Sequence, residues 1–296
     1  MVIYIFFIFL FFSNFSSVTY TNNKTNKIVQ ISIPKCGTFL LRKCIFLLTG
    51  KQDIFTYDFR DNNLEQIAKT HNFRTHLRYT DYNKKMLTNK NFTIFFIYRD
   101  PRDQLISYIF WGKKNLENEL FWLKEKINPT YDPLKDKTKP FVPKLPNYLA
   151  YENLSMNETI FKLINLGSPY YDVMGPYLSP KHETKGINEF YHSYLPWMNT
   201  KGVCSIKFEN LIGSKGGGND KLQLNEIRKI AKHIGINITD KEATKVAHKL
   251  FGGTTTFKDG QIGSWKNHFN AEHKIIFKKT AGKLLIKLDY EKDMNW

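Results

Sequence analysis

The sequence predicts an α/β protein in which a doubly wound parallel sheet is flanked by helices on both faces. The first observation is the stretch IVQISIPKCGTFLLRK, residues 28–43, where an alternating apolar segment gives way to a tight turn and then to a helical pattern. The second is TIFFIY, residues 93–98, a continuous apolar run typical of a parallel strand that is buried on both faces. The third is the alternation of strand and helix patterns along the chain, which is typical of crossover connections in a parallel sheet.

Each element follows from a local pattern. The first predicted strand, residues 28–33, leads through the turn into a helix that Gly50 ends. After the second strand, Asp100 is suited to cap a helix and Pro101 to occupy its first position. The remaining predicted elements are a helix at 118–127, a helix at 156–166 opened by the capping box of Ser155 and Glu158, a strand at 203–208, a helix that Gly235 ends, and a second capping box at Thr239 and Glu242.

Composition limits the classes of protein that the chain can belong to. With 296 residues, of which 42% are hydrophobic, the chain is long enough for a sizeable core and too apolar to be disordered. The formal net charge of +17 favours an anionic partner, which could be a nucleic acid, an acidic lipid, a sulfated sugar or a phosphorylated nucleotide. The three cysteines have no CxxC spacing, which argues against a disulfide framework or a structural zinc site.

The chain begins with a short apolar segment. Residues 2–12 are all apolar, which is shorter than the roughly 20 residues that a membrane-spanning helix needs. We therefore interpret residues 1–26 as a signal peptide or a weak membrane anchor, and residues 27–296 as one folded domain. A signal would place the protein in the secretory pathway or at a membrane; without one, the protein would be cytoplasmic.

The turn PKCGT, residues 34–38, has the chemistry of an anion cradle. Amide groups at the start of a helix favour an anion, Gly37 allows close approach of the backbone, and Lys35 adds a full positive charge. A thiolate would also be favoured at Cys36. A Walker A loop would read GxxxxGK[ST], whereas here the lysine precedes the glycine. This order resembles the 5′-phosphosulfate loop of the sulfotransferases, whose usual form is PKSGTTW.

A second segment, FRTHLRY at residues 73–79, is similar to the KTHLP segment of that family. The resemblance assigns His76 as the general base, a role that suits an imidazole near neutral pH. Arg74 stands where the family has a lysine that contacts the transferred group. An arginine keeps the charge but presents a planar fork.

A third segment, YRDPRDQLIS at residues 98–107, resembles the motif that binds the 3′-phosphate. Arg99 follows a strand, and Ser107 lies two turns into the next helix, so both can converge on one phosphate. The alternative for Arg99 is an ion pair with Asp100 or Asp103.

A fourth segment, TFKDGQIGSWKNHF at residues 256–269, looks like the family's FRKGxxGDWKNxF, the other half of the 3′-phosphate site. Lys258 stands where arginine is usual, and Gly260 matches. Asp259 replaces a lysine and would repel a phosphate unless its side chain turns away.

Four aromatic or apolar residues correspond to the family's contacts with adenine and the 5′-phosphate. Phe208, in KFEN, stands where a tyrosine lies near adenine, and Phe251, in KLFGG, matches a phenylalanine that stacks on the base. Both could instead be core residues. Leu40 replaces the loop tryptophan and Phe39 replaces the second threonine, so one stacking contact and one hydroxyl contact are missing.

Taken together, the resemblance covers residues 28–290 and implies a P-loop-like sulfotransferase fold. It implies transfer of a sulfuryl group from 3′-phosphoadenosine 5′-phosphosulfate (PAPS), with no metal, to a hydroxyl or amine of a small-molecule, carbohydrate or lipid acceptor. The catalytic residues would be His76, Lys35 and Arg74. Segments 128–147 and 169–200 would form the acceptor walls. The sequence indicates neither the acceptor nor the oligomeric state.

Two other functions remain open at this point. One is another P-loop nucleotide-dependent transferase or kinase, which would turn over ATP with magnesium; the missing GK[ST] ending speaks against it. The other is a basic nucleic-acid-binding protein, whose affinity would depend on salt. The positive charge is scattered and forms no recognised motif, so we expect no nucleic-acid partner.

Overall fold

A computed structural model of the protein describes residues 27–56, 59, 63–126, 154–166, 186–253 and 260–296. The predicted leader at 1–26 lies outside these residues, as do Lys258, Asp259 and most of the two predicted acceptor walls. The strands are β1 (Lys27–Ser32), β2 (Gln52–Phe55), β3 (His71–Thr75), β4 (Phe92–Tyr98) and β5 (Val203–Lys207). The helices are α1 (Thr38–Thr49), α2 (Leu64–Ala68), α3 (Asp81–Asn89), α4 (Pro101–Lys126), α5 (Met156–Leu166), α6 (Gly186–His192), α7 (Phe208–Leu211), α8 (Asp220–Ile234), α9 (Asp240–Leu250) and α10 (Ala271–Lys287).

The five strands form one parallel sheet in the order β2-β3-β1-β4-β5. The chain leaves β1 toward β2 at one edge and later leaves β4 toward β5 at the other. The carboxyl ends of β1 and β4 therefore meet at a topological switch point, which is where open α/β sheets bind ligands. The α/β fold class predicted from the sequence is confirmed.

Both faces of the central strands β1 and β4 are buried, because neighbouring residues of these strands enter opposite cores. In β1, Ile28 packs with α1, α8 and α9, whereas Val29 packs into the cluster that holds α4, α5, α6 and α10. In β4, Phe95 and Ile97 face the first cluster and Phe96 faces the second. This arrangement explains why TIFFIY carries no polar alternation.

Local sequence features set the ends of several helices. Gly50 ends α1 in the left-handed conformation, and Gly235 ends α8 in the same way. The predicted capping box of Thr239 with Glu242 is present at the start of α9. Helix α4 runs without a break from Pro101 to Lys126, where the sequence pattern predicted a separate helix at 118–127. None of the helices in the described part of the chain has the length and apolar content to cross a bilayer.

Candidate active site

The turn between β1 and α1 has an unusual backbone. Lys35 has a φ of 67°, in the left-handed region that non-glycine residues rarely adopt. Gln104 of α4 donates from Nε2 to the Pro34 carbonyl at 3.0 Å and so fixes the turn from the second face of the sheet. The amides of the first turn of α1 have no acceptor within the helix, and they point out of its N-terminus.

Gly37 is required by close packing. Its φ is 98°, and a Cβ atom added there would lie 2.6 Å from Cδ2 of Phe208 and 3.2 Å from Cδ1 of Ile97. A side chain would therefore push Phe208 out of place as well as strain the backbone. The predicted neighbour of adenine, Phe208, thus lies directly against the loop.

The surroundings of Lys35 disfavour its positive charge. Its Nζ lies 5.5 Å from the centroid of the Trp111 ring. Burial, with repulsion from Arg99 second, lowers the pKa of Lys35 to about 8. An ammonium in such surroundings gains strongly from a nearby anion.

The structure assigns the tautomer of His76. Its Nδ1 lies 2.8 Å from the Ser32 carbonyl and 3.0 Å from the Ser32 hydroxyl. Since a carbonyl can only accept, Nδ1 carries the proton and donates to it, and Nε2 carries the lone pair. Nε2 has no hydrogen-bonding partner among the residues described. The Ser32 hydroxyl also lies 2.8 Å from that of Thr38, so β1, β3 and α1 share one polar network.

Burial, together with the positive charges of Arg74 and Lys35, lowers the pKa of His76 to about 4. The hydrogen bond to Ser32 acts in the opposite direction but is the weaker effect. His76 is therefore neutral near pH 7, the protonation state that a general base requires.

Arg99 lies at the end of β4 and is 6% exposed. Its guanidinium stacks on the Phe208 ring, with Cζ 4.3 Å from the ring centroid, and Nη2 donates to the Gln261 carbonyl at 2.7 Å. The alternative of an ion pair is partly realised, because Nη2 also lies 3.6 Å from Oδ2 of Asp103. The buried Nε has no hydrogen-bond partner in the described part of the chain. An unsatisfied buried donor on a cation is a candidate contact for an anion.

Asp103 joins the two halves of the proposed 3′-phosphate site. It is fully buried, and its carboxylate accepts hydrogen bonds from the Gly263 amide (2.8 Å), the Ser264 hydroxyl (3.0 Å) and the Trp265 amide (2.9 Å). The segment that follows Gly260 is therefore tied to the start of α4. Sequence reasoning treated Asp103 only as a rival partner for Arg99 and missed this role.

The remaining predicted residues fall into different settings. Ser107 is half-buried two turns into α4, and Gly260 precedes the Gln261 carbonyl that Arg99 binds. Phe251 ends α9 and lines a cavity of about 230 Å³ between α8 and α9. Leu40 is buried in the apolar cluster on the α1 face, and Phe251 packs against that cluster.

Arg74 contacts one carboxylate and two aromatic rings. Its Nε donates to Oδ2 of Asp53 at 2.5 Å, and its guanidinium lies near the rings of Phe39 and Phe55, at 5.1 and 5.0 Å from Cζ. The same carboxylate forms an ion pair with Arg42 of α1. Phe39 therefore contacts Arg74, and both residues stand at positions where the sequence departs from the sulfotransferase motifs that it resembles.

The expectation of a thiolate at Cys36 is wrong. The side chain is fully buried and lies 3.3 Å from the Tyr191 hydroxyl, and burial raises the pKa of the thiol to about 12. The Cys36 amide is used as well, because it donates to the Ile33 carbonyl at 3.0 Å. This leaves the amides of Gly37 and Thr38 as the candidate anion contacts of the loop.

Three aromatic residues from the predicted acceptor wall are buried and hold the backbone of the site. Tyr191 donates to the Arg99 carbonyl at 2.9 Å, Tyr194 to the His76 carbonyl at 3.1 Å, and Trp197 to the Leu77 carbonyl at 3.0 Å. Their rings pack in the core on the α4 face. These residues fix the segments that carry Arg99 and His76.

Comparison with known proteins supports the fold. No protein-family model and no curated protein sequence matches the chain. Among solved structures, mouse sulfotransferase SULT7A1 complexed with PAP is similar, with 16% identity, a TM-score of 0.54, and coverage of 88% of this chain and 85% of that one. Retinol dehydratase in complex with androsterone and inactive cofactor PAP has 12% identity and a TM-score of 0.53, over 88% of this chain and 81% of that one. A complex of retinol dehydratase with retinol and PAP gives a TM-score of 0.52 at 12% identity, with the same coverage. The chain therefore has the sulfotransferase fold that its sequence motifs predicted.

Proposed function

We propose that this protein is a PAPS-dependent sulfotransferase that acts on a hydroxyl or an amine. One observation carries the proposal. Phe208 touches both the glycine of the β1 loop and the guanidinium of Arg99, so the two candidate anion sites adjoin one aromatic ring at the carboxyl edge of β1 and β4. Two phosphates on either side of one nucleoside would match this arrangement. Bound PAP in the similar structures supports the same reading.

The donor would be held at both ends. Lys35 and the amides of Gly37 and Thr38 would bind its 5′ end, and Arg99 with Ser107 its 3′-phosphate. Lys258 and Gly260 would complete the 3′ site. Asp259 would have to point away from it.

The adenine base would be bound by aromatic side chains. Phe208 and Phe251 would contact its two sides, since Phe208 lies against the loop before α1 and Phe251 precedes Gly252, whose carbonyl accepts from Lys43 of α1. At Phe39 and Leu40, the contacts that the family's threonine and tryptophan make with the donor would be missing.

The chemistry follows from the charges of the site. His76 would take a proton at Nε2 from the acceptor as its oxygen or nitrogen bonds to sulfur, while the bond from sulfur to the 5′-phosphate oxygen breaks. Lys35 would neutralise the negative charge that grows on this leaving phosphate. Arg74 would add positive charge on the side of the attacking group. The acceptor is a small molecule, a carbohydrate or a lipid with such a nucleophile.

The leader hypothesis stays a prediction. If residues 1–26 are a signal peptide, N-terminal sequencing of secreted protein will start near residue 27. If they form a weak anchor, the mature chain will keep them and bind membranes.

The function is tested by transfer of radiolabelled sulfate from PAPS across a panel of phenols, sugars and lipids. His76→Ala should lower turnover by ~10²–10⁴ while PAP affinity stays the same. The matched control is His248→Ala, an exposed histidine on α9 that should keep full activity. Equal loss of PAP affinity and turnover would make His76 a structural residue. Magnesium-dependent turnover of ATP, with no sulfate transfer, would favour the kinase alternative.

A further inference from the structure

We propose that Arg42 and Arg74, held together by Asp53, form a binding site for an acidic group that the acceptor itself carries. We call the guanidinium groups of these two arginines, together with the Asp53 carboxylate that holds them, the guanidinium pair. The inference rests on the proposed sulfotransferase function, and it narrows the acceptor to hydroxyl or amine compounds that carry a carboxylate or a sulfate.

The geometry of the guanidinium pair is fixed by a buried carboxylate. The Asp53 side chain, on edge strand β2, is 3% exposed. Arg74 donates from Nε to its Oδ2, and Arg42 pairs through Nε with its Oδ1. The Nη groups of both arginines donate to no acceptor among the described residues. Both side chains reach solvent, with exposed fractions of 26% for Arg42 and 19% for Arg74.

Among the described residues, the charges of the cluster do not balance. One carboxylate compensates one guanidinium, so Asp53, Arg42 and Arg74 together carry a net charge of +1 in a partly buried place. Unbalanced charge is costly there, and an anion would offset it. The Phe39 ring lies 5.6 Å from Cζ of Arg42 and 5.1 Å from Cζ of Arg74, which keeps both guanidiniums in place. Two forks of N–H donors in fixed positions suit a carboxylate or a sulfate.

The guanidinium pair adjoins the proposed base. Arg74 precedes His76 by two residues, about 7 Å along an extended chain. Phe55 connects them, since its ring centroid lies 5.4 Å from that of His76 and 5.0 Å from Cζ of Arg74. An acceptor that presents its nucleophile to Nε2 of His76 can therefore place its acidic group on the guanidinium pair.

The acceptor, and not the donor, is the better source of the acidic group. The two phosphates of the donor already have candidate partners in Lys35 and Arg99. Lys35 lies in the loop that follows β1, and Arg99 lies at the end of β4, on the opposite side of β1 from β2. Only the sulfuryl group of PAPS remains as a rival, and the experiment separates the two sources.

The experiment is a titration of the full protein with inorganic sulfate, followed through the Nε–Hε NMR signals of its arginines. The variants Arg42→Lys and Arg74→Lys assign the two signals, because each variant lacks one of them. With PAP saturating, sulfate should shift the Arg42 and Arg74 signals along one saturable curve. Arg42→Gln should weaken sulfate binding at Arg74 by about tenfold or more. The control is Arg228 of α8, which forms an ion pair with the exposed Asp240 of α9. Its signal should not follow this curve.

Replacing PAP by PAPS distinguishes the two sources. Unchanged sulfate affinity at the guanidinium pair supports an acceptor site. Loss of sulfate binding in the presence of PAPS would mean that these arginines bind the sulfuryl group, and would overturn the proposal; so would the absence of a saturable shift in the wild-type protein. Failure of PAP to bind would instead contradict the proposed function, and the sulfate titration of the PAP-free protein would still report on the guanidinium pair.

Discussion

Asp103 offers the sharpest test of how the candidate site is held together. The substitution Asp103→Asn keeps the size of the side chain and removes its charge. One oxygen remains to accept from Ser264 and Trp265, but the new amide group faces the Gly263 amide and Arg99, both of which are donors. The variant therefore loses one charge-assisted hydrogen bond and breaks the ion pair with Asp103, which is the only salt bridge of Arg99 among the described residues.

The magnitude follows from these two losses. A hydrogen bond to a charged group contributes ~1.5–3 kcal/mol to stability. Leaving a buried charge without its partner costs ~3–5 kcal/mol, and the two losses overlap because both concern Oδ2 of Asp103. Since Arg99 keeps its hydrogen bond to Gln261, we expect the free energy of unfolding to fall by ~3 kcal/mol overall. PAP affinity should also fall at least tenfold, because the segment after Gly260 would no longer be tied to α4.

Urea unfolding gives the change in the free energy of unfolding, and calorimetric titration of the folded variant gives PAP affinity. The matched control is Asp240→Asn, which removes a carboxylate from an ion pair with Arg228; the Asp240 side chain is 88% exposed. The control should change stability by less than ~1 kcal/mol. If Asp103→Asn were no more destabilising than Asp240→Asn and kept wild-type PAP affinity, the assignment of Asp103 as the link between the two segments would be refuted.

Three further predictions concern the β1 loop and the base. Gly37→Ala should lower the free energy of unfolding by ~2–4 kcal/mol and weaken PAP binding, because it adds backbone strain and displaces Phe208; urea unfolding and calorimetry measure both, and wild-type values would contradict the packing argument. The pH profile of kcat/KM should fall on the acid side near pH 4, where His76 gains a proton, and on the alkaline side near pH 8, where Lys35 loses one. Lys35→Arg should remove the alkaline limb, because a guanidinium stays protonated, and an unchanged limb would assign it to another group. Cys36 should resist iodoacetamide in the folded protein and react only after unfolding, as mass spectrometry of the labelled peptide would show; rapid labelling of the native protein would contradict its burial and raised pKa.

Local patterns in the sequence were sufficient for the parts of the fold that depend on neighbouring residues. The start of α1, the cap at Asp100 and the capping box at Thr239 each depend on residues within a few positions of one another, and all three are present. The buried strand β4 could also be predicted, since its apolar run is unbroken.

Strands β2 and β3 could not be predicted in the same way. In β3, HNFRT, only Phe73 is a large apolar residue. Asn72 is nevertheless buried, because its amide donates to the Thr49 hydroxyl at 3.3 Å and to the Lys51 carbonyl at 3.4 Å. Partners in another element make a polar residue compatible with a core, and a short window of sequence does not contain them.

The same limit applies to the candidate site. Motifs identified His76 and Arg99, but the groups that orient them lie far away in the chain. Ser32 is 44 positions from His76, and Gln261 is 162 positions from Arg99. Asp103 was identified only as a possible ion-pair partner of Arg99, and Asp53 was not identified at all, because a charged residue in a sequence is more often exposed than buried between partners.

The most direct test of the whole account is a calorimetric titration with PAP and with adenosine 5′-monophosphate of the wild-type protein, Arg99→Gln and the control Arg228→Gln. The account predicts that PAP binds the wild type and the control equally, and that Arg99→Gln binds PAP about 10–100-fold more weakly. The 5′-monophosphate, which has no 3′-phosphate, should bind weakly and to the same extent in all three proteins. No heat with PAP, or equal PAP affinity in Arg99→Gln and the wild type, would contradict the claim that a doubly phosphorylated adenine nucleotide is held between the β1 loop and Arg99.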